Sequence, residues 1–169
     1  MKFDIVIGID PGKTGGIAIK FNNRYKVYKM PDDLLKIDEL LKFYNELGTI
    51  LIIIEKITLH YTQDIARISK MQKMFAQYEQ LKTLFVMNNL QFIEVTPKTW
   101  QSYLGLNTKR NRKLKRGQRK KVYRNWAQQW WPEKLIIQVA DAVCLLIYGE
   151  RNLKYNPDFV QLNEKSWKA

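Results

Sequence analysis

The sequence holds one cysteine, Cys144, and one histidine, His60. No disulfide can close within the chain, which suits a reducing compartment. Cys144 lies in the apolar run 143–147, where a thiol is inert core rather than a nucleophile. No cysteine–histidine cluster exists, so zinc is not the expected metal, and His60 reads as a loop histidine. Long apolar runs are missing too. The longest fall far short of the roughly 20 residues that span a membrane, so no membrane partner is expected. The first residues form an acid-containing, strand-like run rather than a signal peptide. Acids are also scarce: 16 against 29 lysines and arginines leave a net charge of +13 over 169 residues. A polyanion is the usual partner for such an excess, because each neutralised phosphate releases condensed counterions.

What is present is a globular chain, 46% hydrophobic, of a length that suits one domain. FDIVIGI (3–9) is a buried strand rich in β-branched residues. Residues 15–21 and 25–30 are two more strands, with Asn22-Asn23 as the hairpin turn. An amphipathic helix follows over DDLLKIDELLKFYNEL (32–47), ended by Gly48. Residues 51–54 are a strand buried on both faces, terminated by Glu55. A long helix runs over 64–88 and a short strand over 92–95. Thr96 caps a helix opened by Pro97 and running to Leu104. Helical patterns resume near Arg119 and again over 133–148. Residues 1–150 form the domain, and 151–169 read as a polar tail. Hairpins first and strand–helix–strand units later imply an α/β protein: a mixed five-stranded sheet with helices on both faces.

Three acids fall in special places. Asp10 follows the first strand and precedes Pro-Gly. Glu55 follows the aliphatic strand. Asp141 interrupts the apolar helical stretch IIQVADAVCLLIYG (136–149). Charge at such positions is costly unless paired or metal-bound. Any one of them alone could be an ordinary ion pair with a basic residue; a shared site explains all three. Carboxylates suit hard divalent ions, magnesium or manganese. A pair of such ions supports phosphodiester hydrolysis by activating water and stabilising the leaving oxygen.

The string Ile7-Gly8-Ile9-Asp10-Pro11-Gly12, followed by 14–18 (TGGIA), resembles the opening motif of the RuvC family of Holliday-junction resolvases. Residues 53–55 (IIE) resemble its second motif, and 140–142 (ADA) with the helix to Gly149 its last. Residues 94–100 (EVTPKTW) are similar to a segment of the phage and organellar branch. The resemblance implies a ribonuclease-H-like fold and a homodimer resolving four-way junctions and related branched DNA. It implies Asp10, Glu55 and Asp141 as metal ligands, and two Mg2+ per site, with Mn2+ able to substitute. Many members carry another acid one helical turn before the last aspartate; Gln138 stands there, as a possible neutral ligand. A lysine near Lys98 neutralises charge at the scissile phosphate in the family. Bacterial members open base pairs with an aromatic residue shortly after the glutamate; the matching position is Thr58, with Tyr61 as a nearby candidate. The cytoplasm of a bacterium or of a phage-infected cell is the implied location, an organelle the alternative.

The segment 109–124 (KRNRKLKRGQRKKVYR) contains no acid. Lys109, Arg110, Arg112, Lys113, Lys115, Arg116, Arg119, Lys120 and Lys121 are candidates to contact phosphates, which gives affinity without reading sequence. Gly117 is a candidate hinge in this arm, and Lys120 or Lys121 a candidate for a second active-site lysine of the family. Trp100 reads as packing. The helix 64–88 carries Met71, Met74, Phe75, Tyr78, Leu81, Leu84, Phe85 and Met87, more large apolar residues than one stripe needs, which makes it the candidate dimer surface.

Two other readings compete. Asp10-x-Gly12-x-Thr14 is also similar to the phosphate loop of the actin and sugar-kinase superfamily, which needs two such domains; only one fits here, and no nucleotide cofactor is expected. A catalytically weakened branched-DNA-binding protein is the non-enzyme alternative, suggested by Gln138.

Overall fold

The computed structural model describes residues 3–58 and 64–163. At its centre is one sheet of strands β1 (Ile5–Asp10), β2 (Gly16–Phe21), β3 (Arg24–Lys29), β4 (Ile50–Glu55) and β5 (Gln91–Val95), in the order β3-β2-β1-β4-β5. The first three strands form an antiparallel meander. Its β2–β3 turn is Asn22-Asn23, with φ of 47° and 62°, the left-handed pair that a tight hairpin demands and asparagine tolerates. β4 joins β1 in parallel and β5 joins β4 in parallel. Parallel neighbours need crossovers, and the helices α1 (Leu34–Leu47) and α2 (Ile65–Met87) supply them. Asp33 and Asp64 cap these helices by accepting from Leu35 N and Arg67 N.

Alternation along the strands divides the core into two layers. Ile5, Ile7, Ile9, Ile50, Ile52 and Ile54 face α1 and α2. Val6, Leu51 and Ile53 face the other way, toward α3 (Pro97–Tyr103), α5 (Arg116–Ala127) and α6 (Ala140–Tyr155). Two residues beyond Gly8 and Ile53, the same alternation puts Asp10 and Glu55 on the α6 side. The expected mixed five-stranded sheet with helices on both faces is therefore the observed architecture.

α6 is buried from Ala142 through Gly149, and glycines let it come this close. A Cβ on Gly8 would stand 2.1 Å from the carbonyl oxygen of Ala142 and 2.4 Å from the amide nitrogen of Leu146. One on Gly149 would stand 2.5 Å from Ile53 Cγ1.

Several boundaries differ from the sequence pattern. The helix expected from 133 begins only at Ala140, after a 3-10 turn over Ile137–Val139. Pro132 disfavours helix at the residue before it, and the Gln128 side chain ties down the loop through Trp131 O, Glu133 O and Leu135 N. At its other end α6 runs on through Gly149, and α7 (Phe159–Asn163) packs Phe159 edge-on against Tyr148. Where a polar tail was expected, α6 thus continues to Tyr155 and α7 follows, with Asn152 and Phe159 buried and the rest of 151–163 partly or fully exposed; 164–169 lie outside the described residues, as do His60 and Tyr61. The basic segment is folded as α4 (Lys109–Arg112) and the start of α5. Gly117 lies inside α5, so it is no hinge. Among the described residues no helix is long and apolar enough to cross a membrane.

Candidate active site

β1 and β4 run parallel with Ile9 beside Ile54. Asp10 and Glu55, one residue further on, therefore end neighbouring strands side by side. Asp141 meets them from above, in the first turn of α6, where the helix dipole favours an anion. Gly12 (φ 109°) turns the chain away after Asp10, and Gly15 folds back so closely that a Cβ there would lie 1.9 Å from Asp10 O. The three acids line one cleft of about 1090 Å³.

Lys120 of α5 reaches into this cluster. Its Nζ stands 3.3 Å from Asp141 Oδ2 and 3.8 Å from Asp10 Oδ2. Glu55 Oε2 accepts a hydrogen bond of 2.8 Å from Trp100 Nε1. Trp100 is completely buried, so its indole does more than pack: it fixes the glutamate. A buried indole N–H needs an acceptor, and that was the one signal in the sequence for this contact.

The cations around the acids come from two helices. α5 contributes Arg116, Arg119 and Lys120, while α2 contributes Arg67, Lys70 and Lys73, with Lys13 at the turn after β1. The α2 set escaped sequence reasoning because its residues are spread along a helix that reads as apolar. Lys98 and Gln138 are both exposed, and neither lines the cleft. Lys98 sits in the first turn of α3, while Gln138 sits on the 3-10 turn before α6 rather than one α-helical turn before Asp141. Thr58 is exposed, three residues beyond the end of β4. Of the remaining basic candidates, Lys109, Arg110, Arg112, Lys113, Lys115 and Lys121 are all exposed.

Burial, together with repulsion from Asp141 and Glu55, pushes Asp10 well above the usual carboxylate range, against the pull of Lys120 and Arg116. Burial also raises Glu55, to about 7, although the Trp100 hydrogen bond opposes it. Asp141 is raised by burial and held back by Lys120. Asp141 Oδ1 is buried with no hydrogen-bond partner among the described residues. Oxygen-only donors, raised carboxyls and an orphan oxygen are the chemistry that a hard divalent ion satisfies. As the side chains stand, no group of three acidic, cysteine or histidine residues among those described is arranged to hold an ion; the ammonium of Lys120 contacts two of the three acids.

A pH dependence follows. Between the ordinary carboxylate range and about 7, the folded chain keeps the Glu55 proton that the unfolded chain has released. The folded state then binds more protons, so stability falls as pH rises through that window. For Glu55 alone the loss is on the order of 3 kcal/mol, and Asp10 and Asp141 act in the same direction. Without divalent ions, the melting temperature is expected to drop from about pH 5 to about pH 8, and Mg2+ to restore it mainly at the higher value. A flat profile in thermal denaturation would count against a shared buried cluster.

The sequence matches no protein-family model, and no curated protein matches it. The fold does have solved counterparts. RuvC of T. thermophilus in complex with a Holliday junction substrate superposes with a TM-score of 0.57 at 11% identity, over 90% of this chain and 96% of that one. The Thermus thermophilus RuvC structure gives 0.56 at 14% identity, over 89% and 95%. The yeast mitochondrial Holliday junction resolvase Ydc2 gives 0.41 at 17%, over 93% and 83%. By fold, then, the chain is a ribonuclease-H-like α/β protein. Within that class its fold is similar to that of the RuvC structures.

Proposed function

We propose that this chain is a divalent-metal-dependent endonuclease that resolves four-way junctions and related branched DNA. One observation carries the reading: two strand-end carboxylates and one helix-start carboxylate meet in a cleft walled by cations of α2 and α5. The likeness in fold to RuvC bound to a junction supports the choice of DNA substrate. Asp10, Glu55 and Asp141 would hold the ions, Mg2+ or Mn2+. Such ions supply an activated water and a stabilised leaving oxygen for in-line displacement at phosphorus. The chain's own residues do the rest. Trp100 orients Glu55. Lys120 neutralises Asp10 and Asp141, and with those acids holding ions its ammonium would be available to the scissile phosphate, the role the sequence offered to Lys98. Arg116, Arg119, Arg67, Lys70 and Lys73 grip the flanking backbone. The proposed setting is the cytoplasm of a bacterium or a phage-infected cell. Incubation with a synthetic four-way junction and Mg2+ tests the reading: paired nicks near the crossover are expected, and an intact junction at saturating protein would overturn it. The second reading, a branched-DNA-binding protein that no longer cuts, gains from Lys120 contacting both aspartates and from Gln138 lying outside the cleft. It predicts tight binding with no nicks.

The exposed cations of α4 and its flanks extend the surface beyond the cleft. Replacing Lys109, Arg110, Arg112 and Lys113 with alanine should weaken junction binding and flatten its dependence on salt. The log–log slope should shrink by roughly 0.9 for each phosphate that is no longer neutralised. An unchanged slope in titrations at several salt concentrations would take α4 off the DNA.

The active unit is proposed to be a homodimer, because a four-way junction has two scissile strands related by approximate two-fold symmetry. α2 offers less surface for this than its sequence suggests. Tyr78, Leu81 and Phe85 are buried against the sheet, and Met74, Phe75 and Leu84 pack partly against the same core. Met87 stays exposed, together with Ile65 and Val86. Sedimentation should give twice the monomer mass, in the free protein or on the junction. A monomer that nicks one strand per binding event would sink the dimer.

A further inference from the structure

The second cleft of the molecule lies on the α6 side of the sheet, away from the acids. Arg151 is ten residues beyond Asp141 on α6, or ~15 Å along the helix. The cleft measures about 810 Å³, within the range of sites that take small ligands or single bases. Its walls combine flat aromatic rings with cations. Trp130, Tyr103 and Tyr155 remain 51%, 45% and 68% exposed, which leaves ring surface open to solvent. The Arg151 guanidinium sits 4.6 Å from the Trp130 ring centre and 5.5 Å from that of Trp126, and Lys154 lies 5.1 Å from the Tyr155 ring centre. Lys20 also lines the cleft, and its ammonium is paired with Glu150, the only acid on the walls among the described residues. Arg151 and Lys154 therefore leave the cleft net positive. At its base Trp131 is 4% exposed, and its indole N–H has no hydrogen-bond partner among the described residues.

We propose that this cleft is a binding site for unpaired nucleotides of a DNA strand. The charge selects a polyanion, and the chemistry of the walls selects its form. Open rings gain by stacking on bases, and only a single strand offers bases that are not already stacked on both sides. Arginine held against an indole presents a planar cation to a phosphate or a base. A duplex is too wide to bring its base faces to these rings. The proposal does not depend on the cluster of acids being catalytic. It adds a contact for the melted strand at a junction or fork, a helix length away from the cut.

The test uses the whole chain and a fluorescently labelled oligothymidylate of about a dozen nucleotides, with a duplex of equal length as control. Trp130→Ala and Tyr155→Ala change exposed rings, so folding should survive, as circular dichroism would verify. Each should weaken single-strand binding by roughly tenfold while duplex binding stays as it was. Trp130→Phe should recover most of the loss, since it restores a stacking face. Wild-type affinity for oligothymidylate in both alanine variants would overturn the proposal. An equal loss of duplex affinity would also overturn it, by making the cleft a general phosphate surface. Failure of the nuclease reading would leave these binding outcomes untouched, so the two can be told apart.

Discussion

Asp141→Asn protein should bind a four-way junction as tightly as the wild type and fail to cut it. The substitution keeps the shape of the side chain and removes one ligand charge. Losing a ligand should exceed the roughly 100-fold that changes to the groups behind the ligands cost at metal sites, so nicking should fall below detection in ordinary assays. Binding should persist, because the cations of α2 and α5 are untouched. The free protein gives a second readout. Burial raises the Asp141 carboxyl, so its charged form costs the fold stability, and a neutral asparagine should leave the ion-free protein at least as stable near pH 8. Mg2+ should then raise the melting temperature less than it does in the wild type. Full nicking by Asp141→Asn, and equally by Asp10→Asn and Glu55→Gln, would remove the metal site.

Gly8→Ala should be among the most damaging changes of a single methyl group in the core. The added Cβ would meet backbone atoms of α6 at 2.1 and 2.4 Å. No side-chain rotamer relieves that; the helix itself must move. Overpacking commonly costs about 1–3 kcal/mol, and a backbone clash belongs at or beyond the top of that range. A domain of this size should lose on the order of 10 °C in melting temperature. Moving α6 away from β1 also moves Asp141 away from Asp10, so cleavage should fall even at temperatures where the variant is folded. Wild-type stability in a thermal melt would mean that α6 does not sit where it is described.

Much of this was legible in the chain. Continuous aliphatic runs ending in an acid marked β1 and β4, and the alternation of side chains along a strand fixes which face its last one takes. That is why Asp10 and Glu55 could be paired from sequence. Asp141 could be added because charge in an apolar helix needs a reason. Lys120 could be named only together with Lys121 as a candidate active-site lysine, since the register of a basic helix has no hydrophobic pattern to anchor it. Lys98 looked nearer because it follows β5, but α3 turns it outward. Gln138 was placed by counting helical turns, and the 3-10 turn before Ala140 broke that count. The tail misled for a related reason: glycine usually ends a helix, yet at Gly149 it serves close packing against Ile53.

The basic segment 109–124 is capped and helical before any DNA arrives, with Thr108 Oγ1 accepting from Asn111 N and the Gln118 side chain accepting from Lys115 N. Its charges are therefore displayed at fixed spacing, and the ordering cost that a disordered arm would meet on the duplex has already been met in folding. Association should be set by diffusion and long-range attraction rather than by a folding step. The heat-capacity change on binding should be correspondingly small, since little new apolar surface closes as the two molecules meet.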